Sequence, residues 1–162
     1  MCTFFRVPIV LGIAVLINGC ASGVAFQNPH VQLPGPDTAT VYLMRPKELI
    51  GRIVTFPVKL MGEPLLDVAP GTYATFSLRP GSYDITVGDD RSGGRPGMEV
   101  SRVSQTFPMS VSAGQTYYVE LRSAAPTGGV FSWRVRSMNA EEGRALLNAL
   151  ERGPDPRPGP AK

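Results

Sequence analysis

The chain carries two cysteines, Cys2 and Cys20, both close to its N-terminus. Beyond them no thiol is left to close a disulfide, ligate a metal or act as a nucleophile, so stability has to come from packing and backbone pairing. Histidine is scarcer still. His30 stands alone, beside Pro29. One histidine makes no His/Cys cluster of zinc-type spacing. In a Pro/Gly-rich stretch it is also not held where a general base must sit, within hydrogen-bond distance of its proton. Charge of one sign is lacking too: 16 Lys+Arg against 13 Asp+Glu leave a net +3, with no long basic run. Nucleic-acid binding requires a clustered basic stripe, so no nucleic-acid partner is expected. The longest apolar run, Val7 to Ile17, falls short of the ~20 residues that span a bilayer as a helix.

What that run does have is the setting of an export signal. Arg6 precedes it, and Leu16-Ile17-Asn18-Gly19-Cys20-Ala21-Ser22 closes it. A charged start, an apolar core and small residues at the cut describe a secretory signal peptide. The aliphatic residue three places before Cys20 and the small residues around it resemble a bacterial lipobox. That resemblance implies cleavage before Cys20 by signal peptidase II and lipidation of Cys20. An ordinary secreted protein or an uncleaved anchor is the alternative. Two acyl chains hold a protein stably at a membrane, at ~0.8 kcal/mol per buried methylene. The lipobox resemblance further implies sorting to the outer membrane, periplasmic face, because Ala21 rather than Asp follows Cys20.

The composition is otherwise rich in Gly (18) and Pro (16), as in turn-rich β chains and disordered tails. The expected organisation is a signal peptide over 1–19, a lipidated Cys and flexible tether over 20–37, a folded domain over 38–152 and a disordered tail over 153–162. Within the domain, short β-type runs alternate with turn signals: Ala39–Arg45, Ile53–Met61, Leu65–Val68, Tyr73–Leu78, Tyr83–Val87, Val103–Val111, Thr116–Arg122 and Val130–Ser137. Pro57 should demote its run to an edge or a bulge. Tyr83, Ile85 and Val87 share one face, as do Tyr117, Val119 and Leu121, and Phe131, Trp133 and Val135. Alternation of this kind marks strands half buried in a sheet. About eight short strands with regular turns give an all-β sandwich or barrel. A single C-terminal α-helix is expected from Ala140 to Arg152, capped by Asn139 with Glu142 in a capping box and stopped by Gly153-Pro154.

Three turn-then-tyrosine units recur: Pro70-Gly71-Thr72-Tyr73, Pro80-Gly81-Ser82-Tyr83 and Ala113-Gly114-Gln115-Thr116-Tyr117-Tyr118. They read as hairpin punctuation with core tyrosines rather than as a carbohydrate surface. Together with Val41-Tyr42-Leu43-Met44-Arg45-Pro46 and Val58 to Glu63, they resemble the bacterial lipoprotein family catalogued as domain of unknown function 2846. The resemblance covers about Thr38 to Leu150. It departs at Met61, where the family often has Asp, and at Tyr83, where His is common. It implies an Ig-like or transthyretin-like β-sandwich and brings no activity with it.

Catalytic and metal-binding candidates are weak. Asp89-Asp90 lies in a Gly-rich loop with Arg91 and Arg95 and lacks the alternate acids of a calcium loop. Ser101, Ser104, Ser110 and Ser112 have no base beside them. The remaining candidate is a surface. Arg122, Arg134 and Arg136 share one polar sheet face if the last two strands pair, and arginine forks suit carboxylate or phosphate groups. The plainer reading is a solvated face balanced by Glu120, its arginines exposed and dispensable for folding. The functional expectation is a non-catalytic binding or scaffold module, tethered through the lipid on Cys20, that contacts an envelope protein or cell-wall polymer. No cofactor, no metal and no catalytic residue is assigned. The alternative is an envelope hydrolase using carboxylates that the fold brings together.

Overall fold

The computed structural model describes residues 24–48, 55–88, 101–102, 104–127 and 130–160. The expected signal peptide, Cys20 and Asp89-Asp90 with Arg91 and Arg95 lie outside them. In chain order the described elements are β1 (Gln27–Asn28), β2 (Val31–Gln32), β3 (Ala39–Arg45), β4 (Phe56–Leu60), β5 (Glu63–Val68), β6 (Thr72–Leu78) and β7 (Gly81–Val87). There follow β8 (Ser101–Arg102), β9 (Gln105–Val111), β10 (Thr116–Thr127), β11 (Val130–Met138), α1 (Ala140–Leu147), β12 (Glu151–Arg152) and β13 (Arg157–Pro158). The eight expected strands are β3–β7 and β9–β11; of the other five, all two-residue pieces, β2, β8 and β12 extend the larger sheet and β1 pairs with β13 in a small sheet of their own.

Two sheets face one another as a sandwich. The larger runs β12-β6-β3-β10-β11-β8, with β2 also on β6; the smaller runs β5-β4-β7-β9. Inner faces follow the alternation. Val41 and Leu43, Ala74 and Phe76, Val119 and Leu121, and Trp133 and Val135 come from the larger sheet; Val58 and Leu60, Leu66 and Val68, and Ile85 and Val87 come from the smaller. Tyr83 and Tyr117 pack against this core, with their hydroxyls on Arg79 O and the Ser112 amide.

Several expectations need correction. Of the two outcomes expected from Pro57, the irregularity is found and the edge is not: the β4–β5 register shifts just after it, between Val58 and Lys59, while β4 lies between β5 and β7. The proline is tolerated because pairing with β7 begins only at Val58. The two-residue hairpin after β4 places Met61 at φ 53° and Gly62 at φ 80°, as a type I′ turn demands at both positions. Met61 is thus strained where Asp or Asn would be favoured. The helix ends at Leu147, with Asn148 as its C-cap, rather than at Arg152. Asn139 does cap it, accepting from the Glu141 and Glu142 amides. It sits on the outer face of the larger sheet through Gly143, where a Cβ would collide with the Tyr118 ring. Tyr118 in turn stacks on Tyr42, with centroids 5.3 Å apart.

The largest correction concerns the two ends. Residues 24–34 were expected in a loose tether and residues 153–160 in a disordered tail, but both are docked. Ala25 bridges Leu66; the Phe26 amide donates to Leu65 O (3.0 Å) and the Asp67 amide to Val24 O (2.7 Å). Asn28 is fully buried, its Nδ2 donating to Glu63 O and Pro64 O. On the other side, β12 pairs with one end of β6 and β2 with its opposite end. Between them Asp155 Oδ1 accepts the Thr75 amide at 2.8 Å. β13 then pairs with β1. Proline-rich composition reduces internal pairing, yet it does not stop a segment from covering sheet edges whose open N–H and C=O groups need partners.

Candidate functional site

β10 and β11 pair antiparallel, with Glu120 opposite Arg136 and Arg122 opposite Arg134. One outer-face patch therefore holds all three arginines picked out in the sequence. They line a depression of about 330 Å³ together with Glu120. All three are exposed. Glu120 is not; its side chain is 1% exposed. Its carboxylate accepts Nε–H of Arg122 on Oε1 (2.7 Å) and Nε–H of Arg136 on Oε2 (2.5 Å). The hydrogen bond and charge of Glu120 push the Arg136 pKa above its already high value. Arg136 Nη1 also lies 3.8 Å from Glu142 Oε2, so Glu142 serves this patch rather than a closed capping box. Arg134 makes no ion pair or side-chain hydrogen bond among the described residues.

The arrangement has a chemical consequence. Two guanidinium groups are held by their Nε edges, which fixes their planes. Arg134 adds a third cation beside them. Three cations face two carboxylates, Glu120, already engaged, and Glu142 at the rim beside Arg136, so the patch keeps a net positive charge that favours an anion presented from outside. Bidentate recognition of carboxylate or phosphate is what fixed guanidinium forks do best. The expectation that the arginines are dispensable for folding does not fit this geometry. Removing Arg122 or Arg136 strips hydrogen bonds from a buried carboxylate, and an unsatisfied buried charge is costly.

The other sequence candidates are not gathered into a site. His30 presents an edge to the Tyr83 ring, with centroids 6.2 Å apart. Ser110 Oγ is 3.1 Å from Ser82 Oγ across β7 and β9. Among the described residues, no group of three His, Cys, Asp or Glu side chains is placed to hold a metal ion. No described helix is long and apolar enough to cross a membrane.

Sequence reading missed one polar cluster altogether. Arg45, the last residue of β3 before Pro46, is 2% exposed. Its Nη1 donates to Val68 O at 2.7 Å, and its guanidinium lies 3.3 Å from the centre of the Phe56 ring. Phe56 in turn packs on Trp133. Desolvation lowers the Arg45 pKa to about 10, partly opposed by the charge of Glu48. Glu48 also accepts from the Ser123 amide and hydroxyl. The signal was present in the phase of β3, where Ala39, Val41 and Leu43 put Arg45 on the apolar face. This cluster fastens β3 to β5 and β10 and is structural.

No curated protein and no solved structure matches the chain. The family described as protein of unknown function (DUF2846) matches residues 36–132, from just before β3 into β11, and so takes in the Arg45-Pro46 strand end, the Pro-Gly turns, Glu120 and Arg122, while Arg134 and Arg136 lie beyond the matched stretch. The chain belongs to the DUF2846 family.

Proposed function

We propose that this protein is a non-catalytic binding or scaffold module of the bacterial envelope, held at the outer membrane by lipid on Cys20 and engaging an anionic partner through Arg122, Arg134 and Arg136. The observation that carries the binding half is the fixed arginine pair around buried Glu120, with Arg134, unpartnered among the described residues, beside it. Cell-wall peptides and acidic envelope proteins present the carboxylates that such a patch fits. The anchoring half rests on the residues from Leu16 to Ser22.

The test has two arms. Cells fed a fatty-acid analogue should label the wild type and not Cys20→Ser; equal labelling of both would overturn the anchoring. For the surface, a photo-crosslinker beside the patch should capture a partner, and Arg134→Ser should reduce that capture at unchanged melting temperature. Capture should also weaken with added salt, because exposed charges are screened over ~10 Å at 0.1 M. Undiminished capture by Arg134→Ser and by a variant that removes all three arginines together with Glu120 would exclude this face.

A further inference from the structure

The docked N-terminal segment constrains where an anchored domain can sit. Val24 O and the Phe26 amide are already bonded to the β5 backbone. Four Cα steps separate Cys20 from Val24, and a fully extended chain covers at most ~3.6 Å per residue. The Cα atoms of Cys20 and Val24 are therefore within ~14 Å of each other whatever path the intervening residues take, and Val24 is bonded directly to β5. A tether running to residue 37 would have allowed several times that.

The same edge has the surface a bilayer would meet. Val24 is 52% exposed and Phe26 39% exposed, two of the four large hydrophobic residues so exposed among those described. They lie two residues apart on an extended segment and so share a face. Arg157 is exposed beside them, its amide donating to Phe26 O and its position paired with Gln27. An aromatic and an aliphatic side chain with an adjacent arginine form the pattern of an interfacial contact: apolar groups enter the acyl boundary and the cation stays among head groups. The acid next to Arg157 in this segment is already paired. Asp155 is engaged by Arg152 and the Thr75 amide.

We infer that the domain docks on the lipid surface through Val24, Phe26 and Arg157, held there rather than swinging on a tether. The inference rests on the lipidation of Cys20 proposed above. Its consequence is that partners must come to the membrane, since the domain does not reach away from it.

The absence of other thiols in the mature chain supplies the experiment. With the Cys20 sulfur carrying lipid, Phe26→Cys, Val24→Cys and Ser110→Cys each give one labelling position. Ser110 lies on β9, the far edge of the same sheet from β5. The full-length lipidated protein, labelled with a polarity-sensitive fluorophore, is incorporated into phosphatidylethanolamine–phosphatidylglycerol vesicles containing nitroxide-bearing phospholipid. Labels at 24 and 26 should shift to the blue and lose intensity to the nitroxide, while the label at 110 does neither. Acylated protein that sediments with vesicles but shows no quenching at 24 and 26 overturns the docking and leaves the anchoring intact. Protein that mass spectrometry finds unacylated at Cys20 overturns both.

Discussion

Glu120 faces Arg136 across the β10–β11 ladder and takes its Nε–H at 2.5 Å, while Arg122 holds the other carboxylate oxygen at 2.7 Å. The acid is buried and the two bases are half exposed, so the dependence runs one way: Glu120 needs its arginines more than they need it. Arg136→Ser should therefore lower the melting temperature, and adding Glu120→Gln should restore part of the loss, because a neutral amide tolerates burial better than an unpaired carboxylate. Arg134→Ser should change stability by less than ~0.5 kcal/mol, as surface changes usually do. Thermal denaturation of the four proteins checks this. Equal effects of Arg134→Ser and Arg136→Ser would mean that Glu120 is not held as described.

Trp133 is 8% exposed on the inner face of β11 and packs on Phe56, which carries the Arg45 guanidinium on its ring. Its fluorescence should peak well to the blue of tryptophan in water. Truncating a buried aromatic to alanine costs ~3–5 kcal/mol, a large share of the ~5–15 kcal/mol that holds a domain together. Trp133→Ala should accordingly unfold at much lower denaturant, measured by circular dichroism because the fluorophore is gone. A water-like emission maximum in the folded wild type would contradict the packing.

The strand phases of β3, β7, β10 and β11 were legible because period-two alternation depends only on neighbouring residues. The same rule brought Arg122, Arg134 and Arg136 to one face. Local pattern could not say how deep each position would lie. Glu120 shares the polar face with the arginines and was read as solvated; its burial comes from Arg122 and Arg136 closing over it, one of them on another strand. Arg45 was legible in principle from its phase, but the proline after it drew attention to the strand end instead. The ends of the chain were the least legible. Val24 to Gln32 and Glu151 to Pro158 have no periodicity because each contributes two or three residues to edges that other segments create. Asp155 bonding Thr75 spans 80 positions in the chain, and no window of sequence contains both.

Asp67 gives a pH-dependent prediction. Desolvation raises its pKa above the ordinary carboxylate value, so the folded state holds its proton more tightly than the unfolded chain does. Its contribution thus favours folding below the unfolded pKa and is lost as pH rises through the raised folded value. Asp67→Asn removes the charge while keeping the shape. At pH 7 the variant should be at least as stable as the wild type, and its advantage should shrink as pH falls to where Asp67 is protonated in both states. Denaturation midpoints across pH 3–7 follow the difference. An advantage that grows towards low pH would show that Asp67 is stabilised as the anion.

Asp155 stands in for a strand. Where a neighbouring backbone carbonyl would accept the Thr75 amide, the carboxylate of Asp155 does so, itself fixed by Arg152 at 2.5 Å. β2 and β12 cover the ends of β6, so this one side chain closes the gap between them. Asp155→Ala should leave the core strands intact, because no apolar contact of the sandwich depends on it. It should nevertheless accelerate hydrogen exchange at the Thr75 amide, and also at Gly153 and Gly159, whose amides donate to Tyr73 O and Asn28 O along the same strap. Local opening of this kind costs less than global unfolding, so amides in the centre of β3 and β10 should keep their wild-type rates. Amide exchange followed by mass spectrometry or NMR separates the two classes. Unchanged exchange at Thr75 would mean that the carboxylate is not its acceptor in solution. Acceleration throughout β3 and β10 would mean that the C-terminal strap belongs to the cooperative core of the fold rather than to its edge.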